Sequence, residues 1–235
     1  MNKHLLSLLL ILLIVKSGSS QSIPDDKTVI VEMFANDIFN VDEDFNGIYE
    51  RENDLISYCA NRNYKIVILN RLHLDLPSIF SDVQIITTAN NTGLENRMGE
   101  FLHSLHGAGI SKISGQAPPN TAGSTQPSKF FRNINEFNKR MFAIFGNASY
   151  CFDMIYTEVD WWRDDPTPVP INNWNLYLSG IQEMKSQKLL SNTSGYHPIV
   201  TGTYLGDLTK LKNIDPILYS EQALTNQIDN NIDIV

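Results

Sequence analysis

The stretch KIVIL at residues 65–69 decides the fold class of this chain. It is a short, continuous run of aliphatic and β-branched residues, which is typical of a strand covered on both faces. Thr28–Phe34 (TVIVEMF) predicts an earlier strand, and a helical pattern lies between the two strands at 48–61. The apolar stripe of that helix consists of Ile48, Leu55, Ile56 and Cys59. A strand, a helix and a second strand in this order predict a parallel pair joined by a crossover helix.

The same alternation continues after residue 69. Further helices are predicted at about 94–105, 130–145 and 174–188. Further strands are predicted at Ile110–Ile113, Cys151–Trp161 and Ile199–Leu205, with a short extra strand at Val83–Thr87 and a sixth at Pro216–Tyr219. The stretch Gly115–Ser128 is rich in Pro, Gly, Ser and Thr and has no periodicity, so it predicts a long loop.

The pattern therefore predicts an α/β fold with a parallel sheet, either a (β/α)8 (TIM) barrel or an open doubly wound sheet. No Gly-X-Gly-X-X-Gly follows the first strand, which weakens the nucleotide-binding form of the doubly wound fold. Long polar loops after the second, third and fourth strands favour the barrel. Only five or six strands are predicted, so we expect an incomplete or truncated barrel or a sheet that stays open.

Length and composition limit the class of protein. The 235 residues are 42% hydrophobic and 19% charged, which is enough for a core and excludes a wholly disordered chain. The formal net charge is −8, and such a surface repels phosphate backbones. We therefore expect no nucleic-acid partner. We expect a monomer without a cofactor or a metal.

The first 20 residues predict a cleavable signal peptide. A short basic start is followed by the apolar run Leu5–Val15, and Gly18 and Ser20 occupy the −3 and −1 positions of a cleavage site. This run of eleven residues, of which ten are apolar, is too short to span a bilayer, and no later stretch predicts a membrane span. We expect a secreted or extracytoplasmic protein whose single domain occupies residues 21–235.

Export makes a disulfide between Cys59 and Cys151 permissible, and two buried free thiols are the alternative. Asn-X-Ser/Thr triplets begin at Asn90, Asn147 and Asn192. In a chain this rich in Asn, about three such triplets arise by chance, so they do not indicate glycosylation.

The segment FDMIYTEVDWWRDD, residues 152–165, contains the most informative group of polar residues. Because side chains alternate along a strand, Tyr156, Glu158 and Asp160 share one face, and Asp160 lies towards the carboxyl end. Closely spaced carboxyl groups raise the pKa of one of them, which keeps a protonated acid available near neutral pH. Alternatively, these acids pair with Arg71, Arg97 or Arg163 or lie in water.

This segment resembles the Asp-X-X-Asp-X-Asp-X-Glu motif of family 18 glycoside hydrolases, which are chitinases and endo-β-N-acetylglucosaminidases with a (β/α)8 barrel. The matching positions are Asp153, Tyr156, Glu158 and Asp160, on the fourth predicted strand. Only Asp153 keeps the residue type of the motif; the proton donor's position holds Asp160 instead of Glu.

The resemblance implies a glycan substrate containing N-acetylglucosamine, whose own acetamido group attacks the anomeric carbon. Glu158 would orient that group and Asp160 would protonate the leaving oxygen, with Tyr156 and Asp153 supporting them. Tyr219 matches a tyrosine on strand six that helps to hold the acetamido group. Sugar rings stack on aromatic faces, and the candidates for this contact are Trp161, Trp162 and Trp174.

Two alternatives stay open beside hydrolysis. The shorter Asp160 favours a lectin-like barrel that binds glycan without cutting it, and the missing strands favour a truncated relative without a competent site. Other candidate chemistry is weaker. His103 and His106 have a spacing that suits metal binding but lack an acidic partner at ligand spacing, and His73, near Arg71 and Asp75, could line the same mouth as Asp160. No Gly-X-Ser-X-Gly elbow occurs.

Overall fold

The computed structural model describes residues 27–32, 37–40, 42, 47–117, 127–157, 171–194, 197–203, 226 and 232–233, without the side chains of 171–177 and 193–194. The strands are β1 Lys27–Val31, β2 Tyr64–Leu69, β3 Lys112–Gln116, β4 Met154–Thr157 and β5 Val200–Thr203. The helices are α1 Glu50–Asn61, α2 Leu72–Asp75, α3 Pro77–Phe80, α4 Thr92–Gly107, α5 Pro127–Phe145 and α6 Ile171–Ser194, with a 3-10 helix at Ala148–Tyr150.

The five strands form one parallel sheet in the order β1-β2-β3-β4-β5. Consecutive strands are therefore neighbours, and the strand order does not reverse anywhere in the described sheet. A doubly wound sheet has such a reversal, so this order is compatible with part of a barrel-like sheet instead. The sequence-based prediction of a parallel α/β fold is confirmed at this level.

The two faces of the sheet differ in what covers them. The helix-covered face carries Val67, Leu69, Ile113 and Ile155, which join one apolar cluster with side chains from all six helices. The opposite face carries Ile66, Ile68, Met154 and Tyr156, packed with Val200 in a second cluster of strand residues alone among the described residues. Because consecutive crossovers of the same hand place their helices on one side, the sequential strand order explains this one-sided arrangement.

The core of the helix-covered face is rich in aromatic rings. Phe137 of α5 lies 5.3 Å from Phe80 and 5.6 Å from Phe152 between ring centroids. Helix α5 also approaches β3 closely at Gly115, where an added Cβ would lie 3.0 Å from Ile134 Cδ1 and 3.1 Å from Phe130 Cζ. This glycine explains how a long aromatic helix packs directly on the third strand.

Several element boundaries differ from the prediction. The extra strand predicted at Val83–Thr87 is wrong, because this segment is an irregular loop. The loop is held by the buried Asn133, whose amide donates to Ser81 O and Gln84 O and accepts from Ile86 N–H. The third strand was predicted at Ile110–Ile113 but occupies 112–116, so it includes two residues assigned to the long loop.

The fourth strand also begins later than predicted. Cys151 and Phe152 precede β4, which starts at Met154, while the predicted remainder at 158–161 lies outside the described residues. The predicted sixth strand, Pro216–Tyr219, lies outside them as well. Both cysteines are buried free thiols, so the alternative without a disulfide holds.

The outer edge of β5 is covered by a residue from near the end of the chain. Asp233 N–H donates to Thr201 O at 3.0 Å, and Thr201 N–H donates to Asp233 Oδ2 at 2.8 Å. Lys188 of α6 pairs with the same carboxylate. None of the described helices is both long enough and apolar enough to cross a lipid bilayer.

Candidate functional site

A row of polar side chains crosses the opposite face where the strands end, at the carboxyl edge of the sheet. Gln116 pairs in register with Tyr156, and Tyr156 pairs with Gly202. Val31 pairs with Leu69, and Leu69 pairs with Gly115. The residues that follow these three, Glu32, Asn70 and Gln116, therefore lie side by side. We call Glu32, Asn70, Gln116 and Tyr156 the polar row. The next position in this register, on β5, is Gly202, which has no side chain.

The contacts of the polar row leave hydrogen-bonding capacity unused. Asn70 Nδ2 donates to Glu32 Oε2 at 2.6 Å, which joins the ends of β1 and β2. Gln116 Oε1 is buried and has no hydrogen-bond partner among the described residues. A buried carbonyl oxygen without a donor is costly, so this oxygen is suited to accept a hydrogen bond from a ligand.

Tyr156 is the member of the polar row that sequence reasoning identified. Its side chain is 9% exposed and packs on the opposite face, whereas Ile155 packs on the helix-covered face. The predicted alternation is therefore confirmed for these two residues. A Cβ added at Gly202 would lie 3.4 Å from Tyr156 Cδ2, so the glycine allows the ring to lie close against β5.

The loop after β2 carries the next candidates, and Arg71 N–H donates to Asn70 Oδ1 of the polar row at 2.7 Å. Arg71 adopts a left-handed conformation with φ of +61°, and its guanidinium lies 3.6 Å from Asp75. His73 is 8% exposed and meets the ring of Phe130 edge-on. Burial lowers the pKa of His73, which keeps the imidazole neutral. The expectation that His73 lines the mouth is not supported, because its ring is packed in the interior.

Asp153 lies at the other end of β4, at the amino edge of the sheet where the strands begin. Its Oδ2 lies 2.9 Å from His106 Nε2 and accepts from Ile113 N–H at 2.8 Å. Its Oδ1 lies 3.2 Å from His197 Nε2. We call Asp153, His106 and His197 the amino-edge cluster. Asp153 is thus grouped with two histidines and not with the polar row.

Electrostatics favour the charged forms in this cluster. Burial works to raise the pKa of Asp153, but hydrogen bonds from His106 and His197 outweigh it, so the pKa is lowered. Burial works to lower the pKa of His106, but the bond to Asp153 and its charge outweigh it, so the pKa is raised. Both shifts favour an ion pair between the His106 imidazolium and the Asp153 carboxylate.

The spacing of His103 and His106 does not produce a metal site. His106 uses both ring nitrogens in hydrogen bonds, and His103 Nδ1 lies 2.7 Å from Ser149 Oγ. Within the described ranges, no group of three or more metal-ligating side chains comes together. The histidines of α4 therefore have partners that explain them without a metal.

A cleft of about 280 Å³ lies beside the amino-terminal ends of α1 and α4. Arg97 lines it, but this guanidinium pairs with the buried Glu52 and lies 3.9 Å from the centroid of the Tyr49 ring. Burial raises the pKa of Glu52 despite this pairing. The charge of Arg97 is therefore already engaged within the protein.

The remaining predicted site residues lie outside the described part of the chain. This applies to Glu158, Asp160, Trp161, Trp162 and Tyr219, and to the side chain of Trp174. Comparisons of the chain with protein-family models, curated proteins and solved structures return no match.

Sequence reasoning missed Glu32, Asn70 and Gln116 in the polar row and both histidine partners of Asp153. The polar row could be identified only from the strand register, because residues 32, 70 and 116 lie side by side in the sheet but far apart in the chain. The available signal was positional, because each of these polar residues ends a strand or directly follows it. For the cluster, Asp153 and His197 both come shortly before a strand, and His106 comes at the end of a helix.

Proposed function

We propose that this chain is an exported, barrel-like protein that binds or hydrolyses glycans at the carboxyl edge of its sheet. The observation that carries this proposal is the polar row on the face away from the helices. Ligands of barrel enzymes bind where the strands end, and the polar row lies at that edge.

The chemistry of the row suits a polyhydroxylated ligand. Glu32 and Gln116 offer oxygens that accept hydrogen bonds from hydroxyl or amide N–H groups. Asn70 donates one amide N–H to Glu32 and accepts from Arg71 N–H, so its second amide N–H is what it offers. Tyr156 adds an aromatic ring and a phenol. The row contains no cation, and the chain carries a net charge of −8, so an anionic ligand such as a nucleotide fits it poorly.

The arrangement of the described sheet supports the barrel-like form of the proposal. Five parallel strands follow one another in sequential order, and the described helices pack on one face only. A barrel is built in this way, with its helices outside and a second buried face inside. The burial of Ile68 and Met154 to 2% and 1% exposure on the opposite face agrees with this form.

In this proposal, hydrolysis is carried out by Glu158 and Asp160, the two acids that follow β4 in the sequence. If the alternation seen at Ile155 and Tyr156 continues, Glu158 and Asp160 extend the face that carries the polar row. Asp160 would then protonate the leaving oxygen, and Glu158 would orient an N-acetyl group. Glycans that contain N-acetylglucosamine are therefore the first substrates to test.

Binding without hydrolysis is the second candidate function. It is favoured by the composition of the polar row, in which Glu32 is the only carboxylate and already accepts a bond from Asn70. Two amides, a phenol and one bonded carboxylate can hold a sugar without supplying an acid for bond cleavage.

A binding and hydrolysis assay with matched variants tests the proposal. We would titrate the purified protein with β-1,4-linked N-acetylglucosamine oligomers and follow cleavage of a chromogenic derivative. We expect Gln116→Leu to weaken binding about tenfold or more, which corresponds to the loss of one hydrogen bond to the ligand. Lys112→Met is the matched control, because Lys112 lies on the same face of β3 at the amino edge.

Asp160→Asn separates the two candidate functions. Loss of cleavage with retained binding identifies an enzyme, whereas binding without cleavage in the unaltered chain leaves the lectin-like function. A chain that binds no member of a broad glycan panel, or a Gln116→Leu variant that binds as well as Lys112→Met, contradicts the proposal. Appearance of the chain in the growth medium with its first 20 residues removed tests the predicted export.

A further inference from the structure

The amino-edge cluster carries an inference that is independent of any glycan. Asp153 directly precedes β4. Its side chain connects the start of β4 to the last turn of α4, the start of β3 and the segment before β5. We propose that Asp153 is a positioning residue that fixes the start of β4, and that a protonated His106 makes this junction a pH-sensitive lock.

The geometry around His106 requires the protonated ring. Its Nδ1 lies 2.9 Å from the carbonyl oxygens of both Leu102 and Ser149, which only accept hydrogen bonds. Its Nε2 lies 2.9 Å from the carboxylate of Asp153, which also accepts. A neutral imidazole has one N–H and leaves one of these sides without a donor, whereas the imidazolium supplies both.

The junction determines the register of the central strands. Asp153 N–H donates to Ile113 O, and its own carbonyl accepts from Val200 N–H, so its backbone bonds to β3 and β5 at once. In addition, Oδ2 of the Asp153 side chain accepts a hydrogen bond from Ile113 N–H. Tyr156 follows only three residues later, so an error at this junction would shift the short strand that carries it.

The groups that face the cluster from neighbouring segments are a second imidazole and a thiol. His197 approaches Oδ1 from the segment before β5, and Cys151 lies on the same segment as Asp153. Burial raises the pKa of the Cys151 thiol to about 12, so it stays neutral throughout the relevant range. His103, one turn earlier on α4, faces Ser149 and the ring of Tyr150 instead of Asp153.

The direction of the pH dependence follows from the two shifted groups. The pKa of His106 is raised in the folded state, so its contribution to stability is complete below about pH 6.5 and is lost as the pH rises through the higher folded value. The pKa of Asp153 is lowered, so its contribution is present above about pH 3.9 and is lost as the pH falls through the lower folded value. The lock is therefore strongest in mildly acidic solution.

Thermal unfolding of the purified protein and two variants tests this lock. We would compare the unaltered chain with His106→Gln and with His103→Gln between pH 5 and pH 9. We expect the melting temperature of His106→Gln to lie at least about 3 °C below that of the unaltered chain at pH 5.5, and this gap to shrink towards pH 9. His103→Gln is the matched control and should follow the pH profile of the unaltered chain.

A gap between His106→Gln and the unaltered chain that stays constant with pH overturns the lock, because a purely structural defect does not titrate. Proton NMR gives a second readout that needs no variant to fold. The His106 ring should titrate above 6.5 in the folded protein, and a titration below that value also overturns the inference. Neither measurement involves a glycan, so the lock and the proposed function succeed or fail separately.

Discussion

The two edges of the parallel sheet differ in how completely their polar groups are bonded. At the amino edge, Asp153 accepts from His106 and Ile113 N–H and lies against His197, and both ring nitrogens of His106 have partners. At the carboxyl edge, Gln116 Oε1 is buried without a partner among the described residues. The polar groups of the amino edge are thus bonded to one another, while the carboxyl edge holds a buried acceptor that, under the proposed function, binds a ligand.

The largest effect is expected from removing the carboxylate of the amino edge. Asp153→Ala leaves the half-buried His106 ring and the Ile113 N–H without their acceptor, and the loss of these two contacts should cost about 2–4 kcal/mol. Chemical denaturation at pH 6 measures this loss. Glu32→Ala is the counterpart at the carboxyl edge and should cost less than about 1 kcal/mol, because Glu32 is exposed. Equal losses for the two variants would contradict the difference between the edges.

Gly115, near the carboxyl end of β3, tests how tightly the helix-covered face of the sheet is packed. Gly115→Ala adds a Cβ within 3.0–3.2 Å of Ile134, Phe130 and Leu72 on the helix-covered face. Overpacking of this kind should cost about 1–3 kcal/mol, measured by denaturation. A neutral result would mean that Ile134, Phe130 and Leu72 can move aside, so that the helix-covered face is not tightly packed at β3.

Gly202→Ala makes the corresponding change on the opposite face. The new Cβ would lie 3.0 Å from Met154 Sδ, which can move, and 3.4 Å from Tyr156 Cδ2. Removing a strand glycine regains about 0.5–1 kcal/mol, so the net change should stay within about 1 kcal/mol. At 3.4 Å the added Cβ is in ordinary van der Waals contact with the Tyr156 ring, which keeps its place, so glycan affinity should stay unchanged. A loss of stability as large as that of Gly115→Ala, measured by denaturation, would contradict this difference between the two faces.

The smallest effect on stability is expected at Gln116. Gln116→Leu removes a buried oxygen without a donor, so the free energy of unfolding should change by less than about 0.5 kcal/mol or rise slightly. The same variant is expected to bind glycan about tenfold or more weakly, as described above. A loss of more than about 2 kcal/mol would mean that the side chain is bonded within the protein and is not available to a ligand.

The sequence predicted the alternation of elements better than their boundaries. The aliphatic run 65–69 identifies β2 because its residues are buried on both faces of the sheet. In contrast, Ser114, Gly115 and Gln116 do not resemble a strand. They form one because their backbone pairs with β2 and β4, and Gly115 leaves room for α5 to pack on it. The segment 83–87 resembles a strand, yet Asn133 binds its backbone from a helix about 50 residues away.

The candidate site was only partly predictable from the sequence, because most of its contacts join residues that are far apart in the chain. Alternation along one strand located Tyr156, because that rule uses neighbouring residues alone. The amino-edge cluster joins side chains 47 and 44 residues apart, and no local pattern links them. Asp153 was grouped with the acids after β4 on the basis of motif spacing, whereas its position before the strand places it at the other edge.

The bonds between Asp233 and Thr201 have a consequence for behaviour in concentrated solution. An outermost strand with free backbone groups is a template on which other chains assemble into aggregates. Among the described strands β5 is the outermost, and Asp233 bonds both the N–H and the carbonyl of Thr201 on the side away from β4. A cut that removes residue 233 would take away both bonds, and the shortened protein should become more prone to self-association.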